Sequence, residues 1–126
     1  MPPVDDDAAL IELVETYEQS FEEAQSPLVR EMEAQGGVEA APRLARSGDT
    51  RARLAAARLM HLLPDEGHVA ALEPLVADAD PNVAALAWRA LRNQRRTPEW
   101  RAAVGRIADS GPEERRVAAR EWLAEK

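Results

Sequence analysis

The chain has 126 residues, no cysteine and a formal net charge of -7 at pH 7. This length suffices for one folded domain, and the lack of cysteine excludes disulfides, thiol catalysis and thiolate metal sites. No secretory signal is recognisable near the amino terminus, and no window has the roughly 18 uninterrupted apolar residues of a membrane span. We therefore expect a cytoplasmic protein that has no membrane partner.

The charge is distributed unevenly along the chain. Residues 1–39 contain eleven acidic residues and one arginine, which gives -10, whereas residues 40–126 carry +3. Such an asymmetry suggests distinct faces or partners for the two parts. The alternative is solubility, because a charged helix face keeps an alanine-rich chain, here with 25 alanines and five aromatic residues, from self-association.

An amphipathic helix is predicted over residues 6–25, since apolar residues recur there at spacings of three and four. The apolar stripe comprises Leu10, Leu13, Val14, Tyr17, Phe21, Ala24 and Leu28, and Asp5, Asp6 and Asp7 would cap the helix. Ser26-Pro27 predicts the start of a short second helix that ends at Gly36-Gly37. One continuous, kinked helix is the alternative. We expect this acidic stretch, residues 1–36, to form an amino-terminal cap whose glutamates face outward.

The remainder of the chain repeats with a period of about 31 residues. Asp49–Met60 and Asp80–Leu91 are similar, and Pro112–Leu123 is a weaker third copy. Such a period predicts stacked helical hairpins. The predicted pairs are 38–47 with 50–63, 67–77 with 81–94, and 98–109 with 113–125. In the clearest helix, Asp80 is the N-cap, Pro81 is the first helical residue, and Val83 and Leu91 are core residues.

The segment Asp80-Pro81-Asn82-Val83, followed by Ala87 and Ala90-Leu91, resembles the second helix of a HEAT repeat of the short bacterial, phycobilisome-lyase-like kind. Ala84 stands where that repeat usually has arginine. Ser26 to Arg30 resembles the same opening, so residues 1–36 are either a cap or a degenerate further repeat. The resemblance implies an all-α fold in which residues 37–126 form a right-handed α-solenoid of about three hairpins. It implies little about activity, because such repeats serve unrelated partners.

Residues suited to catalysis or metal binding are few. His61 and His68 flank an acidic pair, but a loop with Pro and Gly separates them, whereas helical metal sites use spacings that share one face. Acidic pairs such as Asp78 with Asp80 lie at predicted helix starts, where capping explains them. We therefore predict no catalytic residue, no metal and no cofactor.

A row of arginines gives the strongest indication of a binding surface. Arg89, Arg92 and Arg96 are predicted to lie opposite the apolar face of their helix, and Arg58 repeats Arg89 one period earlier. In HEAT-like stacks the second helices line the concave surface. This basic ridge (Arg58, Arg89, Arg92 and Arg96) is therefore predicted to bind an acidic protein surface, with Trp88 at its edge as an anchor. The alternative for the arginines is a helix face that is only solvated. The alternative for Trp88 is a position in the core, which is also where we expect Trp100 and Trp122.

These features favour a non-catalytic protein–protein interaction module, either an adaptor or an inhibitor of the immunity type. The alternative is an enzyme-associated HEAT-like protein, either of the chromophore-lyase type or related to the DNA base-repair glycosylases, whose grooves use aromatic and Arg residues. We do not expect a nucleic-acid partner, because the acidic total and the acidic first segment oppose attraction to phosphate.

Overall fold

The computed structural model describes residues 5–125, with side chains from Asp7 onward. Over these residues the chain is all-helical and has no strand, which confirms the predicted all-α class. The helices are α1 (Asp5–Glu18), α2 (Glu22–Ala34), α3 (Gly37–Ala45), α4 (Thr50–Leu62), α5 (Val69–Leu75), α6 (Pro81–Arg92), α7 (Pro98–Ser110) and α8 (Glu113–Ala124). A short 3₁₀ turn, Glu66–His68, precedes α5.

The six helices of the predicted hairpins are all present. Helix α3 packs on α4, α5 on α6, and α7 on α8, while α5 also contacts α3 and α7, and α4 packs along α6. Helices α3, α5 and α7 thus follow one another as neighbours in one row, and α4 and α6 lie beside it. The superhelical path, its handedness and the number of repeats stay predictions.

Three of these helices have an N-cap residue whose side chain accepts hydrogen bonds from backbone N–H groups of the first turn. The Asp80 carboxylate accepts hydrogen bonds from the backbone N–H groups of Asn82 at 2.8 Å and Val83 at 3.1 Å, and Pro81 follows as the first helical residue. Asp49 and Thr97 cap α4 and α7 in the same way. Each cap satisfies an amide that has no partner within its helix, which fixes where the helix begins. The predicted roles of Asp80 and Pro81 are confirmed.

The core depends on small side chains on α4 and larger ones on its neighbours. Helix α4 buries Ala52, Ala55, Ala56, Ala57, Leu59 and Met60. Val83 and Leu91 on α6 have no exposed surface, as predicted. Alanine lets helix axes approach closely, so a buried core forms although the chain has few aromatic residues.

Arg53 joins two loops on one side of this core. Its Nε donates to Asp78 Oδ2 at 2.8 Å and its Nη1 to the carbonyl of Ser47 at 3.1 Å. Burial opposes ionisation of Asp78, but the hydrogen bonds from Arg53 and from the Asp80 N–H outweigh it, so the pKa of Asp78 lies below its ordinary value. The α3–α4 loop is thereby tied to the α5–α6 loop. Arg53 lies one 31-residue period before Ala84.

The amino-terminal helices differ from the prediction. Helix α1 ends at Glu18, and Ser20 donates its hydroxyl to the carbonyl of Thr16 at 2.6 Å in the turn that follows. Pro27 lies inside α2, so the break predicted at Ser26-Pro27 is wrong, and so is the alternative of one kinked helix. Phe21 is 84% exposed because the turn ends the helical period before that residue. The resemblance of Ser26 to Arg30 to a helix opening therefore does not hold.

Helix α1 packs on α3 and α4 through Leu10, Ile11 and Val14, all of which are buried. The glutamates of α1 lie at the surface, as predicted, but two of them are paired there with arginines of α4. Glu15 pairs with Arg51, and Glu18 pairs with Arg58 at 2.9 Å. Asp7, expected to cap α1, lies within it instead, and its buried carboxylate pairs with the largely exposed side chain of Arg43. The capping predicted for Asp5 and Asp6 lies outside the described side chains.

Gly37 provides a test of the packing between α2, α3 and α4. A Cβ there would lie 2.8 Å from the carbonyl oxygen of Met32 and 3.1 Å from the Leu59 and Leu63 side chains. We expect Gly37→Ala to lower the free energy of unfolding by about 1–3 kcal/mol, because backbone and core would have to move. Gly105 on α7 is the control, since a Cβ there meets nothing within 4 Å. Gly105→Ala should stabilise by about 0.5–1 kcal/mol. Chemical denaturation measures both, and equal effects would contradict the close approach at Gly37.

Candidate partner-binding surface

The basic ridge lies along two open cavities that share Arg89. Arg89, Arg92 and Arg96 line one cavity of about 310 Å³ together with His61 and Asn93. Arg58 and Arg89 line the second, of about 390 Å³. The four arginines predicted from the sequence therefore form one continuous surface along α4 and α6.

Arg58 is not a free cation on this surface. Its side chain is only 24% exposed, and its Nε donates to Glu18 Oε1 at 2.9 Å. The prediction of an exposed position is wrong for this residue, because the charge pattern of α4 gave no sign that α1 would dock beside it. The glutamate offsets the positive charge at that end of the ridge.

Arg89 and Arg92 are exposed and available. Among the residues that the structure describes, neither guanidinium forms an ion pair or a side-chain hydrogen bond. The guanidinium carbon of Arg92 lies 5.9 Å from the centre of the Trp122 ring, a weak cation–π contact. Both side chains can therefore reach a partner without breaking an existing ion pair.

Arg96 is held in place. Its Nη1 donates to the carbonyls of Arg92 at 2.7 Å and Gln94 at 2.9 Å, and its guanidinium carbon lies 4.1 Å from the centre of the Trp100 ring. Its Nη2 is 3.9 Å from a carboxylate oxygen of Glu125. Arg96 thus contributes charge in a fixed position.

Three buried tryptophans lie beneath the arginines of the ridge, and two of them contact Arg92 and Arg96. The Trp88 and Trp122 rings stack with centres 4.0 Å apart, and Trp100 lies 6.1 Å from Trp122 at an angle of 18°. Arg115 lies over the Trp88 ring, with its guanidinium carbon 5.6 Å from the ring centre. All three rings are buried, which confirms core positions for Trp100 and Trp122. For Trp88, 7% exposed, the structure selects the core alternative over the exposed anchor.

Side chains following α6 cap the carboxyl end of α4, which the sequence did not predict. Gln94 donates from Nε2 to the carbonyls of Met60 and Ala90, both at 2.9 Å, and accepts from the Asp65 N–H at 3.1 Å. Asn93 donates to the carbonyl of His61 at 2.9 Å. The last carbonyls of a helix have no partner within it, so these amides complete α4. The only sequence signal was a polar pair directly after an apolar helix face.

The carboxyl end of α6 is completed in a similar way. The Trp100 indole donates to the carbonyl of Leu91 at 2.8 Å, and Arg96 donates to that of Arg92. The Asn93 N–H donates to the carbonyl of Arg89. The carboxyl ends of α4 and α6, which lie beside the cavity of about 310 Å³, are therefore fixed by hydrogen bonds from residues that follow α6.

The two histidines lie apart in different settings. His68 is buried, and its Nε2 donates to the carbonyl of Val38 at 2.8 Å. Burial, and then the charges of Arg58 and Arg89, hold the pKa of His61 below its ordinary value of 6.5. His61 is therefore neutral at pH 7, and its buried Nδ1 has no hydrogen-bond partner within the described chain. No three His, Asp or Glu side chains in that part of the chain converge as a metal site would require.

Comparisons with protein-family models, curated proteins and solved structures find no match to this chain. The resemblance to HEAT repeats therefore rests on the residues quoted above and stays a prediction. Within residues 5–125 no helix has both the length and the apolar character to cross a membrane. The arrangement itself is a positively charged surface on a framework of buried tryptophans and capped helix ends.

The amide of Gln94 is the clearest structural test of this framework. Gln94→Leu would leave the Met60 carbonyl and the Asp65 N–H without these partners. We expect the free energy of unfolding to fall by about 1–3 kcal/mol, the cost of an unsatisfied buried polar group. Gln35→Leu, at an exposed position, should change it by no more than about 0.5 kcal/mol. Equal unfolding midpoints for Gln94→Leu and the parent would refute the capping role.

The lowered pKa of His61 leads to a prediction of how the stability of the fold depends on pH. Its pKa is lowered on folding, so the unfolded chain binds the proton more readily. This contribution to stability is fully present above about pH 6.5 and is lost as the pH falls through and below that value. Between about pH 7.5 and 5, the melting temperature of the parent should therefore fall more than that of His61→Gln. The same pH dependence in both proteins would show that His61 titrates as in the unfolded chain.

Proposed function

We propose that this protein is a non-catalytic binding module for another protein, and that it uses the exposed side of α6 to contact an acidic surface. The observation that carries the proposal is the cavity lined by Arg89, Arg92, Arg96, His61 and Asn93, in which no described residue contributes a carboxylate. Two of its arginines are exposed and have no ion pair within the described chain. Such guanidinium groups are suited to paired hydrogen bonds with carboxylates.

The net charge of -7 does not prevent this contact. At physiological salt, charges more than about 8 Å away are largely screened, so the local arginines govern the final approach. Several acidic residues of α1 are also paired within the molecule, including Glu15 and Glu18. Charges at the rim of such a surface accelerate encounter and select partners of opposite sign.

The buried tryptophans favour a protein partner over the alternative of a relative of DNA base-repair enzymes. Binding of an unstacked DNA base typically uses an aromatic ring that is open to the base. Trp88, Trp100 and Trp122 are instead buried and stack on one another. Their role in the proposal is to hold α6 and α8 together beneath the arginines.

We also propose that the hairpins form a right-handed α-solenoid of HEAT-like repeats. The neighbour relations of α3, α5 and α7, and of α4 with α6, support this architecture. The link from Arg53 to Asp78 supports it as well, since it joins equivalent ends of consecutive hairpins. The absence of cysteine is compatible with the cytoplasmic location expected from the sequence.

Reversing the charge of the free arginines tests the surface. The partner is first identified by affinity purification from the native host. Arg89→Glu combined with Arg92→Glu should then weaken its binding at low salt by at least tenfold, or about 1.4 kcal/mol, because attraction becomes repulsion. Calorimetry measures the affinity, and circular dichroism confirms that the helices are retained.

The matched control combines Arg46→Glu with Arg101→Glu, two exposed positions outside the cavity. This variant has the same net charge as the test variant and should keep its affinity within about twofold. An equal loss in both variants would indicate only a general charge effect. Full affinity in the Arg89 and Arg92 variant would move the interface to another face.

A further inference from the structure

We propose that the cavity lined by His61, Arg89, Arg92, Asn93 and Arg96, here called the anion cavity, binds a phosphate monoester group carried by the protein partner. This inference rests on the proposed function and specifies the chemistry of the partner. A phosphoserine or phosphothreonine side chain presents three acceptor oxygens and a charge near -2 at neutral pH.

The charge of the anion cavity calls for a dianion. Three guanidinium groups line it, His61 is neutral at pH 7, and none of the described lining residues is a carboxylate. Glu125 lies 3.9 Å from Arg96 and offsets part of that one charge. A single carboxylate would leave the remaining positive charge largely unbalanced, whereas a phosphate monoester neutralises most of it.

The helix ends beside the cavity do not cancel this charge. Helices α4 and α6 both end here, and each carboxyl end carries about half a negative charge. Their sum, about -1, is smaller than the charge of the three arginines. The carbonyls that carry it are also bound already, by Gln94, Asn93 and Trp100.

The geometry combines one fixed donor with two adaptable ones. Arg96 is fixed by two backbone carbonyls and the Trp100 ring, whereas Arg89 and Arg92 are exposed and have no ion pair within the described residues. The cavity is open to solvent and has a volume of about 310 Å³. A phosphate group therefore fits together with the side chain that carries it.

A phosphodiester is the less suitable ligand. Each nucleic-acid phosphate carries one charge, so strong binding needs a long row of unpaired cations. Beyond Arg89 the ridge continues to Arg58, which is already paired with Glu18. The basic surface thus suits one concentrated dianion better than an extended backbone.

His61 supplies a spectroscopic reporter for the test. It lines the cavity, and its unpartnered Nδ1 is buried. A dianion close to the ring would favour the protonated form and raise the pKa of His61. The ring resonances should therefore move when the ligand binds, and their titration should shift to higher pH.

The experiment titrates the full chain with a phosphoserine peptide while NMR follows His61 and calorimetry measures affinity. The unphosphorylated peptide, inorganic phosphate, dimethyl phosphate and a single-stranded oligonucleotide are compared at equal ionic strength. We expect the phosphopeptide to bind at least tenfold more tightly than either the unphosphorylated peptide or dimethyl phosphate, and to move the His61 resonances. Arg89→Gln with Arg92→Gln should abolish this response, whereas Arg46→Gln with Arg101→Gln should retain it.

Several outcomes would overturn the proposal. No response to the phosphopeptide, or an undiminished response in the Arg89 and Arg92 variant, would exclude a phosphate site in the anion cavity. Binding of inorganic phosphate alone would indicate a free phosphate ligand, and preference for the oligonucleotide would indicate nucleic acid. If phosphatase treatment leaves the affinity of the purified partner unchanged while Arg89→Glu with Arg92→Glu still weakens it, the phosphate assignment fails and the protein-binding function stands.

Discussion

Close packing around α4 is the constraint on which the other helices depend. This helix contacts α1, α3, α5 and α6, so its side chains must fit among four neighbours. Its buried alanines meet that requirement, because a larger residue would hold the neighbouring axes apart. A small residue is also needed at Gly37, the first residue of α3, because the backbone there approaches Met32, Leu59 and Leu63 closely. This packing also determines where the partner-binding surface lies, because the residues of that surface are on or next to α4 and α6, which pack side by side.

Three of the eleven acidic residues in the first segment form ion pairs within the molecule. Asp7, Glu15 and Glu18 of α1 pair with arginines of α3 and α4, including Arg51 and Arg58. The exposed pair of Glu15 with Arg51 stabilises little, whereas the buried Asp7 carboxylate depends on its arginine. Local complementarity therefore explains the acidic residues of α1 that face α3 and α4 without a separate partner. It also confines the unpaired positive charge of the ridge to its α6 end.

Helix periodicity and capping residues were sufficient to predict the hairpins, because each depends on neighbours in sequence. Asp80, Val83 and Leu91 all have their predicted roles. Interactions between distant segments escaped prediction. Gln94 caps a helix other than its own, and Arg58 is neutralised by a residue forty positions earlier. The break after α1 escaped as well, since Pro27 was a stronger local signal than the Ser20 turn that ends the helix.

The conformational freedom of Arg89 and Arg92 explains why an acidic partner is favoured over a neutral one. Immobilising each of these side chains at an interface costs about 0.5–1.5 kcal/mol, so ordering both costs about 1–3 kcal/mol. Neutral hydrogen bonds, at about 0.5–1.5 kcal/mol each, would roughly balance that cost. Hydrogen bonds to charged groups contribute about 1.5–3 kcal/mol each and leave a surplus. Arg96 needs no such ordering because folding has already fixed it. The surface therefore gains net affinity mainly from partners that present negative charge to both free arginines.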